Sequence, residues 1–121
     1  MKCLFIILGE SFRLGGQNTR IRGGSESFVP QIDASNTHIA LINFLKNKYN
    51  LDSDVSIGTY ATQYDNDLLS IYKENLIDYK IYDDLIGING LFQDAISRNL
   101  DNIDNYDFVF YLRVDLYLNV F

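Results

Sequence analysis

The order of apolar and polar residues predicts strands that alternate with helices. Residues 3–8 form a continuous apolar run that ends at Gly9, which is typical of a strand covered on both faces. Alternating apolar positions predict two more strands, over residues 54–62 and 77–83. A fourth apolar run, over residues 108–118, predicts the last strand.

The segments between these strands have helical spacing. Apolar residues three and four positions apart predict helices over residues 31–50 and 88–103, and a shorter helix over residues 63–76. Strands that alternate with helices favour the α/β class, and we predict a three-layer, Rossmann-like sandwich with a mostly parallel sheet of about four strands. The length of 121 residues suits a single domain over residues 1–121.

Composition and charge narrow the possible partners. The net charge is −6, which argues against a nucleic-acid partner. No secretory signal is recognisable, and no apolar run approaches the roughly 18 residues that a membrane helix needs. The lone Cys3 excludes an internal disulfide and suggests a buried thiol. We therefore expect a cytoplasmic protein without a transmembrane segment.

A glycine-rich segment after the first strand, GESFRLGGQNTRIRGG, combines flexible backbone with positive charge. Arg13, Arg20 and Arg22 fall in a window that contains no Asp or Glu. Guanidinium groups suit bidentate phosphate contacts, and the loop between a first strand and a first helix is where phosphates often bind. The segment matches neither the P-loop nor the dinucleotide fingerprint. It predicts an anionic small ligand, with a mobile, solvated surface loop as the alternative.

The last strand ends in charged residues, in FVFYLRVDLYL. Arg113 and Asp115 share a strand face with Val109 and Tyr111. Charge in a covered strand is costly unless paired, so we expect the strand to reach the carboxyl edge of the sheet here, where ligands of open α/β sheets bind. Asp115 can hold Mg²⁺ or Mn²⁺ there, and Arg113 can contact a phosphate or hold Asp115. The alternative is a plain Arg–Asp ion pair without a ligand.

Two other polar features stay open. His38 is the only histidine, and its place near the start of the first predicted helix favours capping or packing over action as a general base. Asp83 and Asp84 end the third predicted strand, where they would either approach a sugar hydroxyl or simply close the strand.

Three segments, ILGESFRLGGQNTR, QIDASNTHIALINFL and YDFVFYLRVDLYL, resemble a group of sugar transferases found in surface-polysaccharide loci and in large viruses. In layout the chain resembles the nucleotide-binding half of a GT-A glycosyltransferase. The resemblance covers nearly the whole chain, and the SFR-x-GG loop and the R-x-D-L segment carry most of it. It implies a nucleotide-diphospho-sugar donor and a glycan acceptor.

In GT-A enzymes an Asp-x-Asp motif at a strand end binds a divalent cation together with the donor diphosphate. Here Asp115 matches the second acid and Arg113 stands in place of the first. The resemblance thus implies Mn²⁺ or Mg²⁺ at Asp115. It implies donor contacts from the residues of the first loop and the last strand, namely Arg13, Gly15, Gly16, Gln17, Arg20 and Arg113.

The same family places its acceptor site and catalytic base after the metal motif. The sequence runs six residues beyond Asp115, so the resemblance implies the donor-binding half of a longer transferase and names no catalytic base. Two alternatives stay open. One is a non-catalytic α/β binding or interaction module that forms a homodimer through an exposed sheet edge. The other is a different nucleotide-dependent transferase that acts on polysaccharide.

Overall fold

The computed structural model describes residues 1–14 and 21–119, apart from the side chain of Ile21. The elements follow one another along the chain as β1 (Lys2–Gly9), β2 (Arg13–Leu14), β3 (Ile21–Arg22), α1 (Phe28–Tyr49), β4 (Asp52–Tyr60), α2 (Asp65–Tyr72), β5 (Leu76–Tyr82), α3 (Gly87–Arg98) and β6 (Phe108–Arg113). Short 3₁₀ turns at Ser25–Ser27 and Ile103–Asn105 precede α1 and β6.

The main sheet has the strand order β5-β4-β1-β6, and every neighbouring pair is parallel. This confirms the predicted α/β class with a parallel sheet of four strands. The chain moves outward from β1 through β4 to β5 and then returns to the other side of β1 to form β6. The direction of winding therefore reverses between β1 and β6, which is the position where open α/β sheets bind ligands.

Helices cover both faces of the sheet. The side chains of β1 alternate between the two faces, so each face carries apolar residues of β1 that pack against helices. Cys3, Phe5 and Ile7 pack with residues of α1 and α2, whereas the intervening apolar residues of β1 pack with α3. All six residues from Cys3 to Leu8 are at most 1% exposed. The predicted three-layer sandwich and the doubly covered first strand are both confirmed.

Strand β6 differs from the prediction in exposure and length. Its apolar run suggested a covered strand, yet Phe108, Val109, Phe110 and Tyr111 are all exposed. The reason is position: β6 is an edge strand that pairs with β1 alone. The strand also ends at Arg113 instead of continuing through residue 118, because a turn begins there.

Helix α3 is fixed to the sheet by a guanidinium. Arg98 donates from Nε to Asp78 Oδ2 of β5 at 3.0 Å and from Nη2 to the Ile57 carbonyl of β4 at 3.2 Å. Its Nη1 also contacts Asp94, one turn earlier on α3. These contacts hold the far end of α3 and so orient its first turn, which lies at the carboxyl edge of the sheet.

Among the residues that the structure describes, no helix combines the length and the apolar character needed to cross a bilayer.

Candidate functional site

A cleft of about 460 Å³ opens at the carboxyl ends of β1, β4 and β6. Its volume falls within the usual range for small-molecule sites, roughly 300–1,000 Å³. It lies beside the reversal of winding between β1 and β6. The cleft is lined by Gly9, Glu10, Arg13, Tyr60, Leu85, Gly87, Ile88, Leu91 and Arg113.

The floor of the cleft depends on a sharp turn after β1. Gly9 has φ +129°, a conformation that favours glycine, and a Cβ there would meet Val114 Cγ1 at 3.4 Å. Phe12 has φ +52°, which is unusual for a bulky residue, and its buried ring packs against Phe28 and Tyr64. The turn is therefore held by core packing, and it delivers the next residue, Arg13, to the cleft.

Two arginines and one carboxylate meet at the rim. Asp115 lies in the turn after β6, and its Oδ2 contacts Arg113 Nη2 at 3.2 Å and Arg13 Nη2 at 3.6 Å. Arg13 and Arg113 line the cleft, whereas Asp115 is not one of its lining residues. The sequence predicted all three for this site, and the structure brings them together. The carboxylate orients two guanidiniums toward the same cavity.

Arg22 adds positive charge nearby. It lies opposite Arg13 in the antiparallel β2–β3 pair, and its guanidinium lies 5.3 Å from the centroid of the Tyr60 ring. A cation at this distance from an aromatic face is attracted by the ring quadrupole. The chain as a whole is acidic, so this concentration of guanidinium groups is a local feature of the cleft.

Tyr60 joins β4 to the start of α3. Its buried hydroxyl accepts hydrogen bonds from the N–H groups of Ile86 at 3.1 Å and Gly87 at 3.2 Å. The hydroxyl keeps its own proton, which it can donate to a further acceptor. The sequence pattern did not single out Tyr60, although its position at the carboxyl end of a strand next to β1 is a usable signal.

The opposite wall of the cleft is apolar. Leu85 and Ile88 are exposed there, and Leu91 closes the base. Ile88 belongs to the first turn of α3, whose N-terminal end carries the positive pole of the helix dipole. The cleft thus combines an apolar wall with a rim on which the two guanidiniums of Arg13 and Arg113 outnumber the carboxylate of Glu10, and this net positive charge suits an amphiphilic anion.

A buried glutamine ties the two loops of the cleft together. Gln31 of α1 accepts the Phe12 N–H at 3.2 Å and donates to the Val114 carbonyl at 2.7 Å and to Ser35 Oγ at 3.1 Å. Phe12 and Val114 immediately precede Arg13 and Asp115 along the chain. Gln31 therefore fixes the spacing between the loop after β1 and the turn after β6.

His38 is buried within α1 and has no access to the cleft. Its Nε2 lies 2.7 Å from the Leu116 carbonyl, which can only accept, so Nε2 carries the proton. Its Nδ1 then accepts from the Tyr72 hydroxyl, also at 2.7 Å. This arrangement supports the expected packing role. Burial lowers the pKa of His38 below the ordinary value, although the Leu116 carbonyl partly opposes this effect.

We expect acidification to destabilise the fold through His38. The unfolded chain binds a proton near pH 6.5, while the native state stays neutral to lower pH. The free energy of unfolding should therefore fall as the pH drops below about 6.5 and level off below the native pKa. Urea unfolding across this range measures the slope. His38 is the only histidine, so a His38→Gln variant should lose the slope, and a flat wild-type profile would contradict this role of the imidazole.

The surroundings of Asp115 bear on the predicted cation. A hard cation prefers several oxygen ligands, and the described residues contain no group of three or more His, Cys, Asp or Glu that could hold a metal ion. A cation at Asp115 would also compete with Arg13 and Arg113 for the same oxygen. In the described residues the charge partners of Asp115 are arginines, and Mn²⁺ or Mg²⁺ stays a prediction.

Some predicted residues lie elsewhere. Asp83 and Asp84 are exposed after β5 and do not line the cleft. Four of the predicted donor contacts fall outside the described residues, namely Gly15, Gly16, Gln17 and Arg20.

Comparison of the chain with protein-family models, with curated proteins and with solved structures found no match. The geometry and chemistry of the cleft are therefore the basis for assigning a function.

Proposed function

We propose that the chain is a glycosyltransferase-like domain that binds a nucleotide-diphospho-sugar as the donor for transfer of the sugar to a glycan acceptor. The observation that carries the proposal is the pair Arg13 and Arg113, which line one cleft at the reversal of winding. Guanidinium groups are well suited to phosphate because they donate two parallel hydrogen bonds to its oxygens.

The two halves of the cleft match the two chemical parts of such a donor. The cationic rim suits the diphosphate, and the first turn of α3 adds the favourable end of a helix dipole. The apolar wall of Leu85, Ile88 and Leu91 suits the flat, weakly polar face of a base or sugar ring. The Tyr60 hydroxyl can donate to an oxygen of the bound ligand.

The chemical contribution of these residues is charge stabilisation. When the glycosidic bond to the phosphate breaks, negative charge develops on the departing diphosphate. Arg13 and Arg113, held by Asp115, would stabilise that charge without having to reorganise, and preorganised stabilisation of this kind often dominates catalysis. No described residue is assigned as a catalytic base, so we propose donor binding by this chain and not transfer by this chain alone.

Calorimetric titration with UDP-, GDP- and CDP-sugars tests the proposal. We expect heat for at least one of them, much weaker binding of the matching nucleoside, and a higher melting temperature in the presence of the ligand. Inorganic diphosphate serves as the probe for the rim alone. No heat with any of the three classes of donor would overturn the proposal.

The cation is tested by repeating the titration with Mn²⁺ or Mg²⁺ and with Asp115→Asn. If Asp115 serves only to orient the arginines, the variant should bind several-fold more weakly with or without the metal. If it also holds a cation, the metal should strengthen binding to the wild type and not to the variant. The amide remains isosteric and can still accept from a guanidinium, so the fold should be unaffected.

A different nucleotide-dependent transferase that acts on polysaccharide would use the same cleft, and the choice of donor in the titration separates it from the first proposal. The glycan acceptor and the cytoplasmic location stay predictions.

A further inference from the structure

The two edges of the sheet differ in a way that points to an interface. β5 carries Asp78 and Lys80 in its interior, and charges of this kind discourage pairing with another chain. β6 has no charged residue before Arg113, and its first four residues are exposed by 46%, 43%, 38% and 40%. In the described part of the chain, no element pairs with the outer side of β6.

We propose that β6 pairs in antiparallel orientation with β6 of a second copy of this chain, about a two-fold axis at Phe110. This inference is independent of the ligand proposed for the cleft. An isologous contact of this kind uses the same surface on both copies. It would join two four-stranded sheets into one continuous sheet and satisfy the free backbone groups of both edges.

Backbone geometry limits the possible registers. Alternate residues of a strand direct their N–H and C=O groups to opposite sides, and only those on the outer side can bond to a second copy. Residues that lie opposite each other in an antiparallel pair must both direct these groups outward or both inward. The two-fold axis between two identical strands must therefore pass through a residue and its copy, and not between two neighbouring residues. The candidate centres within the exposed run are Val109, Phe110 and Tyr111.

Charge selects one centre. With the axis at Phe110, Asp107, which directly precedes β6, lies level with Arg113 of the other copy. Within its own chain Asp107 accepts the Lys2 N–H and Arg113 contacts Asp115, so each would gain a second partner of opposite charge or polarity. With the axis at Tyr111, Arg113 would lie opposite the neutral Val109, and Asp107 would lie level with the turn that carries Asp115, beyond the end of the strand. With the axis at Val109, Asp107 and Arg113 would both face neutral residues. The register at Phe110 alone gives two complementary charge pairs, with only apolar and aromatic residues between them.

The same register covers the exposed aromatic side chains of β6 on both faces. Phe108 and Phe110 lie with ring centroids 6.1 Å apart on the face of Phe5, and Tyr111 lies 5.8 Å from Phe92 on the other face. A second copy would extend both clusters. Since Arg113 also lines the cleft, the second copy would place its Asp107 beside the rim of the site.

A charge-reversal pair tests the register. Sedimentation equilibrium from low micromolar to several hundred micromolar should show a wild-type dimer. The variants Asp107→Lys and Arg113→Asp should each raise the dimer dissociation constant about tenfold or more, because each turns two attractive pairs into repulsive ones. A mixture of the two variants should recover the affinity, since the heterodimer restores both pairs with opposite charges.

Asp104→Lys is the matched control, because it makes the same charge change at an exposed position in the turn before β6. It should dimerise like the wild type. Far-UV circular dichroism confirms that each variant is folded, and the mixing experiment remains decisive if one variant is less stable. A wild-type monomer at every concentration would overturn the proposal and leave the edge to a different chain. If both charge-reversal variants dimerise with the dissociation constant of the wild type, the register at Phe110 is wrong.

Discussion

Replacing Arg13 and Arg113 together by alanine should abolish measurable binding of the proposed nucleotide-diphospho-sugar donor. Each guanidinium makes charge-assisted hydrogen bonds worth about 1.5–3 kcal/mol to a phosphate, so the double variant should lose at least about 100-fold in affinity. Each single variant should lose about tenfold or more. Isothermal titration calorimetry at fixed ionic strength measures all three.

The control for this experiment is Lys73→Ala, which removes a positive charge from an exposed position just after α2, away from the cleft. Its affinity should match that of the wild type, which separates contact with the ligand from a general change in net charge. Both arginine side chains are at least partly exposed, so their removal should leave the free energy of unfolding within about 1 kcal/mol of the wild type. If the double variant bound the ligand as tightly as the wild type, the two arginines would not be ligand contacts.

Gln31→Leu should be the most destabilising single substitution among the residues that support the cleft. It leaves the Phe12 N–H and the Val114 carbonyl without their partner in a buried setting. We expect the free energy of unfolding to fall by about 2–5 kcal/mol, since each unsatisfied buried group costs about 1–3 kcal/mol. Urea unfolding monitored by circular dichroism measures the change. Binding in the cleft should weaken too, because the turns that carry Arg13 and Asp115 lose their common anchor.

Gln63→Leu is the matched substitution at an exposed glutamine, whose amide donates to the Gly23 carbonyl at 3.0 Å. Its effect on the free energy of unfolding should be within about 0.5 kcal/mol. Gln31→Glu should resemble Gln31→Leu more than the wild type, because a carboxylate cannot donate to the Val114 carbonyl. Equal stabilities for Gln31→Leu and Gln63→Leu would show that the buried glutamine does not hold the two loops.

The elements were predictable from the sequence where one physical signal dominates. The run from Cys3 to Leu8 is apolar throughout because helices cover both of its faces. The same logic gave a wrong expectation for β6, because an apolar run does not reveal whether a strand is central or at an edge. Only the order of strands in the sheet decides that, and the order depends on pairing between distant segments.

The arginines of the cleft were predictable from the sequence, but the residues that hold the surrounding loops in place were not. Arg13 and Arg113 stand out because charge follows an apolar strand in each case. Tyr60 and Gln31 carry no such contrast: a tyrosine ending a strand and a glutamine opening a helix are ordinary residues. Their roles arise from bonds to Gly87 and Val114, which are set by tertiary packing.

The anchoring of the segment after β6 has a consequence for the order in which the molecule assembles. Gln31 and His38 bond to carbonyls 83 and 78 residues further along the chain. Contacts that close such long stretches of chain form late, since the entropy of closure must be overcome first. We therefore expect the two arginines to come together only after nearly the whole chain has folded, and a ligand that bridged them would be expected to slow global unfolding.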